Sequence, residues 1–451
     1  MPGAPKYLKG NTDEVLSPQA YKTNFINLIN HKGEKRDIQF MVTEMKIREN
    51  LFAPTLSVEL TILDTYNFFE TFQMIGQEEI HIKLSRAEPI SEDQYGNSQF
   101  IELVFYIIDY PLFAKPKSSK QVYTIAGVAP HSFFSPLKKI SYPITGKMTT
   151  AEEIQKIFAS ELNTQLYVRG ECISTMRGVI NYQPPLVASN WLLSMTYDDE
   201  AAAFYLHQTI QGDVYLDSTT FMNRQESYGL YEPREIRVAE RYSYKDYVQQ
   251  KTAILTMASE LGMSKHFSAM KGAYASKFSY VDLGNKSIRS ERFSYYEKNS
   301  ITGKPNMSRT KKYPLQGDTT FGLHEAYDSC VSYIPLNSLA FDNSVSNYMG
   351  LAESIIGYKL SQAENYEYMG HHITVCGDFN LNAGKKISIR VPKAIDLKEY
   401  TADESFDGRS NNDTYDENLS GDYIITSVEH VFGSLYTCVA LINKDSPNFS
   451  I

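Results

Sequence analysis

Gly384-Lys385-Lys386-Ile387-Ser388-Ile389-Arg390-Val391-Pro392 is the stretch from which the fold can be read. Ile387, Ile389 and Val391 share one face, while Lys386, Ser388 and Arg390 share the other. A period of two is the mark of a half-buried strand. Pro392 ends it, because proline has no N–H to give to a ladder. Upstream lie a strand over Tyr366 to Cys376, a Gly377-Asp378 pair and a turn at Asn382-Ala383-Gly384. Downstream, past a polar acidic loop, come Asp422 to Val431 and Leu435 to Asn443, separated by Gly433-Ser434, a hairpin signal.

The same series occurs near the N-terminus. Gly76 precedes Glu79-Ile80-His81-Ile82-Lys83-Leu84, as Gly384 precedes Lys386 to Val391. A loop with Asp93 and Gly96 leads to a strand from Phe100 to Asp109. Val122-Tyr123-Thr124-Ile125-Ala126-Gly127-Val128 then parallels Leu435-Tyr436-Thr437-Cys438-Val439-Ala440-Leu441. Three strands in matching order point to a duplicated antiparallel β-domain.

The chain is long enough, at 451 residues, for about three domains. Hydrophobic content of 42% and charged content of 22% are ordinary for a globular protein, whereas 33 Tyr and 23 Phe favour strands and subunit interfaces. A net charge of −9 argues against a nonspecific nucleic-acid surface, which needs a basic footprint. Cys172, Cys330, Cys376 and Cys438 form no CxxC and no metal spacing, so a reduced history is expected. No apolar segment reads as a signal peptide or membrane span.

In chain order, residues 1–19 read as a polar N-terminal arm and 20–145 as the first β-barrel domain. Within the latter, Asp37 to Ile47 is expected to be a strand, and Thr55 to Leu63 a second. Residues 146–232 read as a small α/β domain. Thr149 or Thr150 caps a helix from Ala151 to Glu161, with Glu152 and Glu153 in its first turn and Ile154, Ile157 and Phe158 inward. A second helix is expected from Ser189 or Asn190 through Ala202, set off by Pro184-Pro185, with Leu192, Leu193 and Met195 inward and Trp191 as a core anchor. Strands Ala203 to Gln208 and Asp213 to Asp217 meet at Gln211-Gly212. Residues 233–343 read as a mixed domain with an insertion loop. Glu235 to Ala239 is a possible strand, Val248 to Leu261 is apolar at helical spacing, and Gly272 to Lys277 pairs with Arg292 to Tyr296. An amphipathic helix over Ser344 to Gln362 opens the second β-barrel domain, 344–451. The expected fold class is therefore α+β, mainly β.

Chemistry is sparse. No GxSxG, HExxH, phosphate loop or Rossmann fingerprint is present. His371 and His372, adjacent on a strand, point to opposite faces and do not share a metal readily. Asp198, Asp199 and Glu200 could supply paired carboxylates for glycosidic cleavage, or form a solvated helix face. Asp403, Glu404, Asp407, Asp413, Asp416 and Glu417 lack EF-hand spacing and read as a flexible acidic loop. No catalytic, cofactor-binding or metal-ligating residue is assigned, no cofactor is expected, and no enzyme is the leading reading.

Several segments, taken in order, resemble the baseplate or tail hub proteins of contractile-tailed bacteriophages. They are Glu49-Asn50-Leu51-Phe52; Gly76-Gln77-Glu78-Glu79; Asn181-Tyr182 and Pro184-Pro185 before Trp191; Gly377-Asp378-Phe379-Asn380-Leu381 with Gly384; and Gly421-Asp422-Tyr423-Ile424-Ile425 with Val428-Glu429-His430. The resemblance spans most of residues 37 to 445, is densest at the end, and extends to hubs of related contractile injection systems. It implies two tail-tube-like barrels per chain in a homotrimer, a pseudo-sixfold ring that joins the hexameric tail tube to a trimeric spike. It also implies baseplate wedge proteins and the tape measure as partners, DNA passing through the lumen without specific binding, and a place in the virion tail after assembly in the host cytoplasm. Spike and wall-degrading activity are expected on other chains. Two other classes compete: a cell-surface or carbohydrate-binding β-protein, and a peptidoglycan hydrolase using Asp198, Asp199 or Glu200.

Overall fold

The computed structural model describes residues 18–444 apart from 87–88, 92–93, 96–98, 118–119, 199–201, 235–243, 261–269, 273–274, 283–285, 295–329, 337–358, 360–368, 394–414 and 417–418. The chain opens with β1 (Lys22–Ile29), β2 (Lys35–Asp37), β3 (Val42–Asn50) and β4 (Ser57–Asp64). The short helix α1 (Phe68–Thr71) leads to β5 (Glu79–Arg86), a small pair β6 (Pro89–Ser91) and β7 (Gln94–Tyr95), the long hairpin β8 (Gln99–Lys117) and β9 (Lys120–Val128), and α2 (Pro130–Phe134). Alternation drives these strands. In β4, Val58, Leu60 and Ile62 are buried while Ser57, Glu59 and Thr61 are half-exposed. Each inward aliphatic side chain contributes about 1.5–3 kcal/mol by leaving water.

A separate layer follows: β10 (Ile140–Thr149), α3 (Thr150–Glu161), β11 (Leu166–Arg169), β12 (Thr175–Gln183), α4 (Pro185–Ser194), β13 (Phe204–Gln208), β14 (Val214–Ser218) and α5 (Thr219–Arg224). Its core joins Ile154, Ile157 and Phe158 of α3 to Leu192, Phe204, Leu206 and Leu216, with Trp191 packed at the margin. Thr149 caps α3 in a reciprocal box: its side chain accepts from the Glu152 N–H, and the Glu152 carboxylate accepts from the Thr149 N–H.

The remainder comprises β15 (Leu230–Pro233), α6 (Tyr244–Lys251), β16 (Ala253–Glu260), the sheet strands β17 (Ala275–Asp282), β18 (Ser287–Ser294) and β19 (Cys330–Leu336), then β20 (Met369–Cys376), β21 (Lys386–Ile389), β22 (Gly421–Phe432) and β23 (Tyr436–Lys444). One sheet runs through both halves in the order β2-β1-β5-β8-β9-β4-β3-β22-β21-β15-β16-β20-β23, and an added β22–β23 ladder closes the last six strands into a barrel. The first half repeats that barrel's order strand for strand. β1-β5-β8-β9-β4-β3 corresponds to β15-β21-β22-β23-β20-β16. Two differences break the repeat. β15 runs parallel to both of its neighbours where β1 is antiparallel to β5. Among the described residues no ladder joins β1 to β3, and β3 pairs instead with β22.

The structure corrects several local expectations. The apolar run from Val248 is not one helix: α6 ends at Lys251 and β16 follows. Ile254 and Met257 are recruited to a ladder with β20, because cross-strand packing outweighs a weak helical spacing. The helix placed at Ser189 to Ala202 is α4, which starts at Pro185 and ends at Ser194. Proline at the first helical position is preorganised there, so the pair of prolines begins the helix rather than preceding it. Asp37 to Ile47 is interrupted by a turn in which Met41 N–H bonds the Ile38 carbonyl. Finally, Val128 stands at the ladder position of Asn443, two residues beyond the sequence match with Leu441. The shift keeps every face, since the side-chain period is two. The helix over 344–362, the strand over 235–239 and the loop over 297–318 lie outside the described residues, Lys359 excepted.

Candidate functional site: the seam between the two halves

Where β3 meets β22, the inward face of β3 reads Met45, Ile47, Glu49: a carboxylate where the period calls for a hydrocarbon. Glu49 is fully buried. Its Oε1 accepts from Ile210 N–H at 2.6 Å, Asn382 Nδ2 at 3.0 Å and His430 Nε2 at 3.3 Å, and its Oε2 from Ala383 N–H at 2.8 Å. The donors come from three places: the β13–β14 turn, the β20–β21 connection and β22. A buried carboxylate survives only when its lone pairs are filled, and here the four donors come from three separate packed elements.

His430 is also fully buried, with its Nδ1 2.8 Å from Tyr436 Oη and 3.3 Å from Cys438 Sγ. Burial works against its charge, but Cys438 and Glu49 outweigh it and lift the imidazole to about 10, so it is a cation paired with Glu49.

Two further buried carboxylates flank this pair. Asp378 accepts from Asn380 N–H at 2.9 Å and Tyr228 Oη at 2.6 Å and lies 3.0 Å from Lys251 Nζ. Burial pushes it up; Lys251, Arg86 and the Tyr228 hydroxyl together hold it below the ordinary carboxylate range. Asp217 takes a two-pronged bond from Arg169 (2.6 and 2.5 Å) and one from His207 Nε2 at 2.8 Å. Burial raises it, and His207 and Arg169 more than reverse that. Glycines make room. A Cβ on Gly377 would lie 2.1 Å from the Tyr436 ring, and Gly384, at φ +83°, sits against His207 and Asp217.

The N-terminal segment is tied in as well. Arg86 donates to the Pro18 carbonyl at 2.6 Å and to Tyr247 Oη at 3.1 Å, and Tyr21 Oη donates to the Gly433 carbonyl at 2.6 Å. Glu49, His430, Asp378 and Asp217 are all buried. The seam's chemistry is positional: it fixes two β-halves and the α/β layer in one arrangement.

The residues singled out for other chemistry are dispersed. Asp198 is buried and accepts from Ala202 N–H at 2.7 Å, which corrects its reading as a solvated helix face: α4 has ended four residues earlier. It lines a cleft of about 360 Å³ with Glu171, Ser218, Phe221 and Arg224. Asp199 and Glu200 lie outside the described residues, as do Asp403, Glu404, Asp407, Asp413 and Glu417. Asp416 accepts from Leu419 N–H. His371 and His372 do point to opposite faces of β20. His371 is buried beside Ser259, and burial together with Lys444 pushes it down to about 4. Among the described residues no cluster of three or more His, Cys, Asp or Glu could hold a metal, and no helix is long and apolar enough to cross a membrane.

Sequence reasoning missed the Glu49–His430 pair. Both residues lie inside the quoted motifs, and both occupy inward positions of alternating strands, the one signal that could have marked them.

No family model matches the chain, and no curated protein matches it in sequence. Solved structures do match. A tail protein from Neisseria meningitidis MC58 is similar over 94% of this chain and 97% of its own, with 10% identity and a TM-score of 0.51. The 43 kDa tail protein of prophage MuSo2 from Shewanella oneidensis is similar over 94% and 100%, at 12% identity and 0.49. The E. coli c3393 protein, a type VI secretion system component, is similar over 96% and 78%, at 8% identity and 0.41. This chain has the fold of the Neisseria meningitidis tail protein.

Proposed function

We propose that the chain is a structural hub of a phage-type tail: a homotrimer whose six β-units form a pseudo-sixfold ring, seated between a hexameric tail tube and a trimeric spike. The observation that carries this is the repeat itself, six strands in one order occurring twice in a single sheet. A trimer of doubled units is an economical adaptor between sixfold and threefold partners. The likeness to a tail protein supports a structural tail role, and the buried seam suits a body that holds geometry and has no catalytic duty. Three copies carry 3 × (−9) = −27 formal charges, which suits a channel that lets DNA through without holding it. Wedge proteins and the tape measure are the further partners of this reading, and the virion tail is its location.

The test is the native mass of the purified chain, alone and mixed with the spike and tube proteins encoded beside it. A species near three times 51.3 kDa, taken up into a complex with either partner, supports the reading. A chain that stays monomeric with both partners and binds glycans instead overturns it.

A further inference from the structure

The internal junction between the halves has a counterpart that the chain leaves open. In β22, the first part (Gly421–Ile424) pairs with the short strand β21, and the part beyond it (Ser427–Phe432) pairs with β3. In β8, Gln99–Tyr106 pairs with β5 in the same way. Beyond Ile107, whose N–H bonds the Glu78 carbonyl, no strand lies on that side among the described residues. The two strands match through their first irregularity, after which β8 holds an extra residue between Asp109 and Leu112 that β22 lacks. Tyr106 opposes Glu79 as Ile424 opposes Lys386, and the register shift at Ile107/Asp109 falls where β22 has its own at Ile425/Ser427.

The partner of β22 has a counterpart too. β3 corresponds to β16, and the shift at Val42/Glu44 in the β3–β4 ladder falls where the β16–β20 ladder has one at Ile254/Thr256. β20 covers one edge of β16 throughout. β15 covers the other only at Ala253 and Ile254, and among the described residues nothing pairs with that edge further on. Among the described residues, each chain therefore carries one internal β3–β22 junction and the two unpaired halves of a second.

On the hub reading, we infer that β16 of one copy pairs antiparallel with the outer part of β8 of the next, repeating between chains the β3–β22 ladder within each. Met45 opposes Phe432 and Lys46 opposes Val431. The β9 and β23 ladders carry this across the repeat, allowing for the extra residue of β8 between Asp109 and Leu112. Ala258 of one copy then opposes Ala114 of the next as Lys46 opposes Val431, and Ser259 opposes Phe113 as Ile47 opposes His430. The surface suits this. Ile108, Leu112 and Phe113 are 57%, 50% and 53% exposed on one strand, an apolar edge that invites another strand. Ala258 and Ser259 are exposed with small side chains that leave room for Phe113. Because the two edges differ, the contact is head-to-tail, and such contacts close into rings when the rotation repeats.

Cysteine pairs test the pairing. In an antiparallel ladder, neighbouring positions alternate between close and wide spacing, so two adjacent pairs bracket the geometry a disulfide needs. Ala258→Cys with Ala114→Cys, and separately Ser259→Cys with Phe113→Cys, are oxidised and run under denaturing conditions beside the single variants. Covalent dimers and trimers from at least one pair, and from none of the singles, are expected. Circular dichroism identifies any variant that fails to fold. For such a case Leu112→Lys keeps the inference testable, by dissociating the native oligomer at unchanged secondary structure. A chain that is trimeric by native mass, yet gives no cross-link from either pair and no dissociation in Leu112→Lys, overturns this pairing and leaves the hub reading standing. A wild-type chain that stays monomeric with its tail partners overturns both.

Discussion

At the scale of single residues, the seam depends on Glu49. Replacing it with Ala removes the acceptor for four donors and leaves His430 a buried cation without its partner. A loss of about 3–5 kcal/mol is expected, read as a lower urea midpoint. Glu49→Gln keeps the shape but not the charge, and is expected to lose less. The pair also has a pH signature. The folded imidazole of His430 titrates near 10, above the value of about 6.5 for an unfolded chain. A raised value contributes stability that is whole below about 6.5 and fades as pH rises through 10. Unfolding free energy should therefore fall from pH 6.5 to 10 more steeply in the wild type than in Glu49→Gln, and equal slopes would contradict the ion pair. Gly377→Ala is the steric counterpart. Its Cβ would overlap the Tyr436 ring, which is fully buried and stacked on Phe432 at 4.3 Å, so the second half is expected not to fold around it. Little of this was legible in sequence. Glu49 and His430 are 381 positions apart, and alternation alone marks each as inward without saying that they meet.

At the scale of elements, legibility followed the strength of the local signal. The strands around Ile387 and Ile80 and the hairpin at Gly433 were readable because alternation, a positive-φ glycine and a turn agree. α3 was readable from its cap and acidic first turn, and Thr149→Ala is expected to cost about 1 kcal/mol, seen as faster amide exchange in its first turn. β16 was misread because Ile254, Leu255, Met257 and Ala258 fit a helix as well as a strand, and its place is decided by β20, far along the chain. α4 is hard to place from sequence because a proline pair reads as a break, whereas Pro185 at the first helical position begins the helix. Within the α/β layer, Asp217 of β14 ties β11 and β13 together through Arg169 and His207. Asp217→Asn removes the charge that grips Arg169 and His207, so exchange in β11 and β14 should quicken while the barrel strands stay protected. Uniform quickening would mean the layer is not a separate unit.

At the scale of the whole molecule, the duplication was visible in three matched strands. The full ring order was not, since β1, β3 and β4 share no motif with β15, β16 and β20. Only the ladders show that six positions recur, down to the irregularities at Val42 and Ile254. β15 fills the place of β1 in the opposite sense. Among the described residues the second half closes while β3 of the first half pairs with β22, so the two halves are a repeat and a link at once.

On the hub reading these halves are equivalent units of one ring. Single-particle images of the purified chain, taken with its spike partner present, test it most directly. Class averages should show a ring with a central hole and six lobes, threefold by strict symmetry and nearly sixfold in outline. A compact particle with two lobes and no ring, under conditions where the spike is bound, would contradict it.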